Sequence, residues 1–152
     1  MEAYKSPKSE LHTQENNAFS PAKAIIWGLL ISIIFTNVIS VIESIAFAAA
    51  LGADFSDESS FESTLVNSNL FLIVDVLVST VILFIAGRSV GKRVPGKEGK
   101  YGAIVSIIAF SIYLALFSIG KSFSTWPIWY SFLSLFLIPL SIYLGAKSIA
   151  KT

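Results

Sequence analysis

Cysteine is absent from this sequence of 152 residues, and the single histidine, His12, lies in a polar stretch near the start. Without cysteine the chain has no disulfide, thiolate metal site or cysteine nucleophile, and one histidine provides no histidine-based metal site or acid–base cluster. We therefore expect no cofactor and no bound metal. The net charge of only +1, with no long basic cluster, argues against nucleic acid as a partner.

Charged residues are also scarce: they make up 14% of the chain, against 54% hydrophobic residues. They leave charge-free runs at residues 24–42, 63–74, 76–87, 101–120 and 122–146. A helix needs about 20 mainly apolar residues to cross the ~30 Å hydrocarbon core of a bilayer. The composition therefore predicts an integral membrane protein rather than a soluble domain, with the lipid bilayer as its first partner.

These runs predict an all-α fold, an integral membrane four-helix bundle that forms one domain over residues 21–152. Residues 1–20 are polar and of mixed charge, so we expect them to form a flexible tail. The four helices are predicted at about residues 21–51, 64–87, 101–120 and 126–146. Residues 53–63 form an acidic loop without Lys or Arg, and residues 88–100 form a basic loop.

The distribution of Lys and Arg predicts the orientation of the bundle. Ten of the 11 basic residues fall in the N-terminal tail, the basic loop and the C-terminal tail, and only Lys121 falls on the opposite side. Positively charged segments near helix ends are retained in the cytoplasm, so both termini are expected to be cytoplasmic and the membrane to be the plasma membrane. Five residues of the basic loop are expected to contact anionic lipid headgroups. These are Arg88, Lys92, Arg93, Lys97 and Lys100.

Two acidic residues, Glu43 and Asp75, lie inside predicted spans. Asp75 has twelve uncharged residues on either side, which predicts a position near mid-membrane. An ionised side chain inside a bilayer is costly, so an intramembrane acid is by default a candidate functional residue. If the first two helices form an antiparallel hairpin, the two carboxyls share an environment, and we expect one or both to be protonated at pH 7.

Other polar residues extend this candidate intramembrane site. Ser32, Thr36, Ser40 and Glu43 follow one another at spacings of four, four and three, with Asn37 beside them, which makes one polar stripe along the first helix. Ser79 shares a face with Asp75 on the second helix. The pattern has two interpretations. It is a hydrated pathway or coupling site for protons, cations or a cationic solute, or it is a set of hydrogen bonds that holds the bundle together.

Small residues at helical spacing form two further motifs. Ser44, Ala48 and Gly52 continue from Ser40 along the first helix. Ser141 and Gly145 repeat the spacing on the fourth helix. Small residues let helix backbones approach closely, so both sets are expected to mediate helix packing, either within the bundle or between copies.

Several short motifs together resemble a loose group of small, mostly uncharacterised four-span bacterial membrane proteins. The motifs are Glu43, Ala86-Gly87-Arg88, Pro127-Ile128-Trp129-Tyr130, Leu137-Ile138-Pro139 and Gly145-Ala146-Lys147-Ser148-Ile149-Ala150. This resemblance covers most of residues 40–150 and implies a bacterial membrane location but no activity. The chain also shares four helices and a membrane Glu in the first of them with small multidrug-resistance transporters. Here, however, Glu43 lies deeper along a longer helix, and Asp75 is an additional acid.

The sequence has no nucleophile–base pair, no HExxH motif and no glycine-rich loop after a strand, so we expect no enzymatic activity. The favoured interpretation is a non-enzymatic accessory or interaction subunit that self-associates or docks on a larger membrane partner through its small residues. The alternative is a small oligomeric proton- or cation-coupled transporter that uses Glu43, with or without Asp75. The sequence alone names no substrate for that transporter.

Overall fold

The computed structural model describes residues 20–120 and 122–149, and every regular element in these ranges is helical. The helices are α1 (Pro21–Leu51), α2 (Glu58–Val66), α3 (Asn69–Gly91), α4 (Glu98–Ile119), α5 (Ser122–Thr125) and α6 (Ile128–Lys147). Four of them, α1, α3, α4 and α6, are long and apolar enough to cross a membrane. The predicted all-α four-helix bundle is confirmed, and the chain is a multi-pass membrane protein.

α1 begins at a proline and is ended by a glycine. Pro21 is its first residue, where a missing N–H removes no helical hydrogen bond. At the other end Gly52 adopts a φ of 75°, and the N–H of Ala53 donates to the carbonyl of Ala48 at 2.9 Å, which ends the helix. Of the tail predicted over residues 1–20, only residue 20 lies within the described part of the chain.

The acidic loop predicted over residues 53–63 contains a helix instead. The carboxylate of Asp57 accepts a hydrogen bond from the N–H of Ser59 at 3.0 Å and caps α2. On α2, Leu65 is buried and Phe61 packs against the same cluster, a spacing of four that places both on one face. α3 therefore begins at Asn69 rather than near residue 64, with the Ser68 hydroxyl accepting from the N–H of Phe71 at 3.3 Å.

The basic loop is also shorter than predicted, because the helices on both sides extend into it. α3 continues to Gly91 and α4 begins at Glu98, so residues 92–97 alone connect them. Charged side chains at a membrane surface do not end a helix whose other face remains buried, and Val90 and Gly91 are buried. α5 lies within the link predicted at residues 121–125, and Pro127 precedes the first residue of α6.

The four spans are packed unequally. α6 lies along both α3 and α4, and these two pairings are the most extensive in the bundle. Only 11% of the most apolar stretch of α1 is buried, against 39% for α3 and for α6. α1 is therefore a peripheral helix that packs mainly on α3 and, through its first half, on α4.

Glycine allows the backbones of α3 and α6 to touch. A Cβ atom at Gly87 would lie 2.0 Å from the carbonyl oxygen of Ile142, and one at Gly145 would lie 2.1 Å from that of Phe84. Neither distance leaves room for a side chain, so the crossing of α3 and α6 depends on small residues. Gly91 makes the same kind of close contact with α6: a Cβ at Gly91 would lie 2.6 Å from the carbonyl oxygen of Ala146.

The two ends of the bundle carry opposite charge. The acidic end contains the chain segment that joins α1 to α3. Its described charged residues are Asp54, Asp57, Glu58 and Glu62. The basic end holds the start of α1, the loop between α3 and α4, and the end of α6. Its described charged residues are Lys23, Arg88, Lys92, Arg93, Lys97, Lys100, Lys147 and one acid, Glu98.

Candidate functional site

Asp75 is the centre of the candidate site. It lies on α3, and only 5% of its surface is exposed. Its Oδ1 accepts a hydrogen bond from the Ser40 hydroxyl of α1 at 2.8 Å, and its Oδ2 accepts one from the Tyr130 hydroxyl of α6 at 2.6 Å. One carboxyl therefore joins three helices, and both of its oxygens are hydrogen-bonded, as a buried acid requires.

The depth of Asp75 differs from the sequence prediction. Its uncharged flanks placed it near mid-membrane, but α3 begins only at Asn69, so Asp75 lies six residues, about 9 Å, from the acidic end of its helix. Glu43 lies eight residues, about 12 Å, from the same end of α1. The two acids therefore share a level in the half of the bundle nearer the acidic end.

Glu43 is half-buried beside this carboxyl. Its Oε1 is buried and has no hydrogen-bond partner among the described residues. Asp75 lies close enough to act on the Glu43 carboxyl electrostatically, which agrees with the shared environment expected from an antiparallel hairpin. The site therefore combines two acidic groups on neighbouring helices.

A π-helical turn lies in α1 just before the residues that face Asp75. A π turn holds one extra residue, which breaks the regular pattern of backbone hydrogen bonds and is frequent at functional sites. The turn spans Ile31–Phe35, and within it the carbonyl of Ser32 accepts a hydrogen bond from the Tyr113 hydroxyl of α4 at 2.8 Å. This bond ties α1 to α4 immediately before the residues that face the site.

A cavity of about 160 Å³ lies among the four spans beside Asp75. An apolar cavity of about 150 Å³ accommodates a molecule the size of benzene. The polar residues that line it are Thr36, Asn37, Ser40, Asp75, Ser79, Thr80, Tyr113, Tyr130 and Ser134. The apolar residues that line it are Val76, Leu83, Phe117, Leu137 and Ile138. Every span contributes side chains, so the cavity belongs to the assembled bundle and to no helix alone.

The structure brings together most of the residues of the intramembrane site that the sequence predicted. Thr36, Asn37, Ser40, Asp75 and Ser79 line the cavity, whereas Glu43 lies outside the lining. The amide of Asn37 donates to the carbonyl of Ile33 at 2.7 Å, so part of its hydrogen-bonding capacity is used within α1.

Sequence reasoning missed the two tyrosines of the site. Tyr130 entered only as part of the motif Pro127-Ile128-Trp129-Tyr130, yet its hydroxyl donates to Asp75. Tyr113 received no role, although a tyrosine in the middle of an apolar helix needs a hydrogen-bond partner for its hydroxyl. The spacing of four between Tyr130 and Ser134 was a usable signal, because it places two hydroxyls on one face of α6.

The small residues predicted to mediate helix packing have different environments. Ala48 is fully buried against Leu65, Phe71 and Leu72 of the same chain, and Ser44 is half-buried at a groove beside Trp126. Gly52 is an exception, because a Cβ there would meet no atom within 4 Å. Its role is the left-handed conformation that ends α1, not close packing.

The second small-residue motif lies where α6 crosses α3. Ser141 is buried, and Gly145 touches the backbone of α3. The glycines opposite, Gly87 and Gly91, were not predicted to pack. In an apolar run, nothing in the local sequence separates a lipid-facing glycine from one that contacts a helix.

Two acidic side chains of the acidic end are held ionised. Hydrogen bonds from the hydroxyl and the backbone N–H of Ser56 hold the pKa of Asp54 below its ordinary value. The hydroxyl and the backbone N–H of Ser59 lower the pKa of Asp57 in the same way. Both carboxylates therefore remain charged at neutral pH and give this end a negative potential.

The five basic loop residues predicted to meet lipid headgroups all lie at the basic end. Arg88, Lys92, Lys97 and Lys100 are exposed. Arg93 is half-buried and donates to the carbonyl of Ser89 at 2.7 Å. Across the described ranges, no group of three or more His, Cys, Asp or Glu side chains is placed to hold a metal ion.

Comparisons of the chain with family models, curated proteins and solved structures find no match. The resemblance to small four-span bacterial membrane proteins therefore stays a prediction.

Proposed function

We propose that this protein is a non-enzymatic membrane protein that binds a proton or a small cation at Asp75, as a small coupled transporter. The observation that carries this proposal is the burial of Asp75 in a cavity of about 160 Å³ that is lined by all four spans. An ionisable group inside a bundle is expensive and marks an ion or substrate pathway in many membrane proteins. A carboxyl that served only to hold helices together would need its two hydroxyl partners but no cavity.

The charges around the cavity favour a cation over an anion. Asp75 lines it, Glu43 lies beside it, and no Lys or Arg is among the lining residues. The rings of Tyr113, Phe117 and Tyr130 add aromatic faces, which attract cations through their quadrupoles. The ionised acids of the acidic end would raise the local concentration of cations at the nearer mouth of the bundle.

The accessory or interaction subunit is the second candidate, favoured by the low burial of α1. The small residues that the sequence offered for docking argue against it. Ala48 is covered by residues of its own chain, and Gly145 is covered by α3. The apolar surface that α1 leaves exposed is of the kind that lipid covers in any multi-pass protein. We therefore place the transporter ahead of the subunit.

The test of this function uses purified protein reconstituted into vesicles loaded with a pH-sensitive dye. We expect the wild type to move protons when a small organic ammonium ion is added outside. Asp75→Asn should abolish this flux while the protein stays folded, because an amide carries no negative charge and takes up no proton near neutral pH. Glu43→Gln should reduce the flux. The matched control is Glu62→Gln, an exposed acid outside the spans, which should transport normally.

Two results would overturn the proposal. The first is wild-type flux no greater than that of empty vesicles. The second is full flux in folded Asp75→Asn protein. Either would return the accessory subunit to first place.

The proposal includes a bacterial plasma membrane location with both termini in the cytoplasm, supported by the excess of Lys and Arg at the basic end. Because the chain has no cysteine, a single cysteine can be labelled without background. We expect a membrane-impermeant thiol reagent to label Ser63→Cys on intact cells and to leave Lys97→Cys unlabelled until the cells are opened. Both positions are exposed, so the reactivity of the two cysteines differs only by the side of the membrane on which each lies. Labelling of Lys97→Cys on intact cells would reverse the orientation.

A further inference from the structure

The loop between α3 and α4 is anchored to the bundle. Val94 is 5% exposed and packs in the cluster that contains Ala24, Val90 and Val105. Its N–H donates to the carbonyl of Gly91 at 3.2 Å, and its carbonyl accepts from the N–H of Lys97 at 3.0 Å. The backbone of the loop is therefore fixed against the bundle, so the basic residues of the loop and of the adjoining helix ends extend from fixed backbone positions. We call Arg88, Lys92, Arg93, Lys97 and Lys100 the basic platform.

Most charges of the basic platform have no acidic partner. Within the described ranges, Lys92, Lys97 and Lys100 form no ion pair. The nearest acid in sequence, Glu98, uses its carboxylate to accept the N–H of Gly96 at 2.7 Å. Surface lysines without counter-charges attract anions, and a fixed loop loses little freedom when one binds.

Three cations of the basic end lie over aromatic rings. Arg93 lies over the ring of Trp27 at 5.7 Å, and Lys100 lies over that of Tyr101 at 6.0 Å. Lys147 lies over the ring of Tyr143 at 5.7 Å. Tryptophan and tyrosine prefer the interface between the hydrocarbon core and the headgroups. We therefore expect the cations beside them at the depth of the lipid phosphates.

We propose that the basic platform binds the headgroups of anionic phospholipids and so gives the protein a preference for the membrane leaflet that contains them. The charge of the platform complements the phosphates, and the aromatic rings set its height at the interface. This inference is independent of the transport proposal, because the platform lies at the opposite end of the bundle from Asp75. Binding of a soluble polyanion would not require aromatic residues of the membrane interface beside the cations.

The test titrates the purified protein in a neutral detergent with phosphatidylglycerol or with zwitterionic phosphatidylcholine, and measures binding by the shift of the thermal unfolding midpoint. We expect the wild type to bind phosphatidylglycerol much more tightly than phosphatidylcholine. The variant Lys92→Gln, Lys97→Gln, Lys100→Gln should weaken phosphatidylglycerol binding by roughly a hundredfold, since each lysine near an anionic surface contributes about fivefold. All three side chains are exposed, so this variant should remain folded.

The matched control is Glu58→Gln with Glu62→Gln, exposed acids at the opposite end. We expect it to bind phosphatidylglycerol as the wild type does. Three results would overturn the proposal: undiminished phosphatidylglycerol binding by the platform variant, a large gain of binding by the acidic-end variant, or an equal midpoint shift with soluble glycerol phosphate. The second would mean that overall charge is responsible, and the third that the lipid is not required.

Discussion

Gly145→Ala is expected to destabilise the protein by about 3 kcal/mol, because the added Cβ would lie 2.1 Å from the carbonyl oxygen of Phe84 and 3.1 Å from the N of Arg88. The contacting atoms belong to the backbone of α3, which cannot move aside as a flexible side chain would. α3 and α6 would have to separate, and the many contacts along this crossing would weaken with it.

Gly99→Ala is the matched control for this substitution. Gly99 also lies in a helix, but a Cβ there would meet no atom within 4 Å. Alanine is a better helix former than glycine, so Gly99→Ala should be neutral or stabilise the protein slightly. Thermal unfolding in a mild detergent measures both variants. Equal stability of Gly145→Ala and Gly99→Ala would contradict the close contact between α3 and α6.

Asp75→Leu is expected to destabilise the protein by about 2 kcal/mol. Leucine is close to aspartate in size but accepts no hydrogen bond, so the hydroxyls of Ser40 and Tyr130 would both lose their acceptor inside the bundle. The loss exceeds the small gain from a more apolar side chain, because two buried donors remain without partners. α1 should be the first helix to loosen, since it is the least buried of the four spans.

Asp75→Asn separates this structural effect from the chemical one. The amide keeps the shape of the carboxyl and one acceptor oxygen, so it should cost under about 1 kcal/mol. Tyr130→Phe removes one of the two bonds and should fall between the two Asp75 variants. Unfolding in detergent checks this order. Equal stability of Asp75→Leu and Asp75→Asn would show that the hydrogen bonds to Ser40 and Tyr130 do not hold the helices together.

These variants also address the two interpretations that the sequence left open. A carboxyl that only joins helices predicts that Asp75→Asn retains every property of the wild type. A carboxyl that exchanges protons or cations predicts a folded Asp75→Asn protein without transport. Stability and flux measured on the same preparation therefore distinguish the two roles of Asp75.

The sequence by itself determined which segments of this protein cross the membrane. Hydropathy is a local property, and the scarcity of charge in long runs was enough to predict four apolar helices and an all-α bundle. It also singled out Asp75 and the stripe of Thr36, Asn37 and Ser40, because polar groups stand out in an apolar run and helical spacing places them on one face.

Only the tertiary structure decided which faces of these helices meet. In a soluble helix the apolar face is the buried face, but lipid is as apolar as a protein core, so hydrophobicity does not separate the two faces of a membrane helix. For this reason the contacts of Gly87 with α6 and the bond from Tyr130 to Asp75 were not predicted. The cavity depends on the same lateral packing, because residues of all four spans line it. The carbonyl of Ser32 within the π turn of α1 likewise has its partner, Tyr113, on another helix.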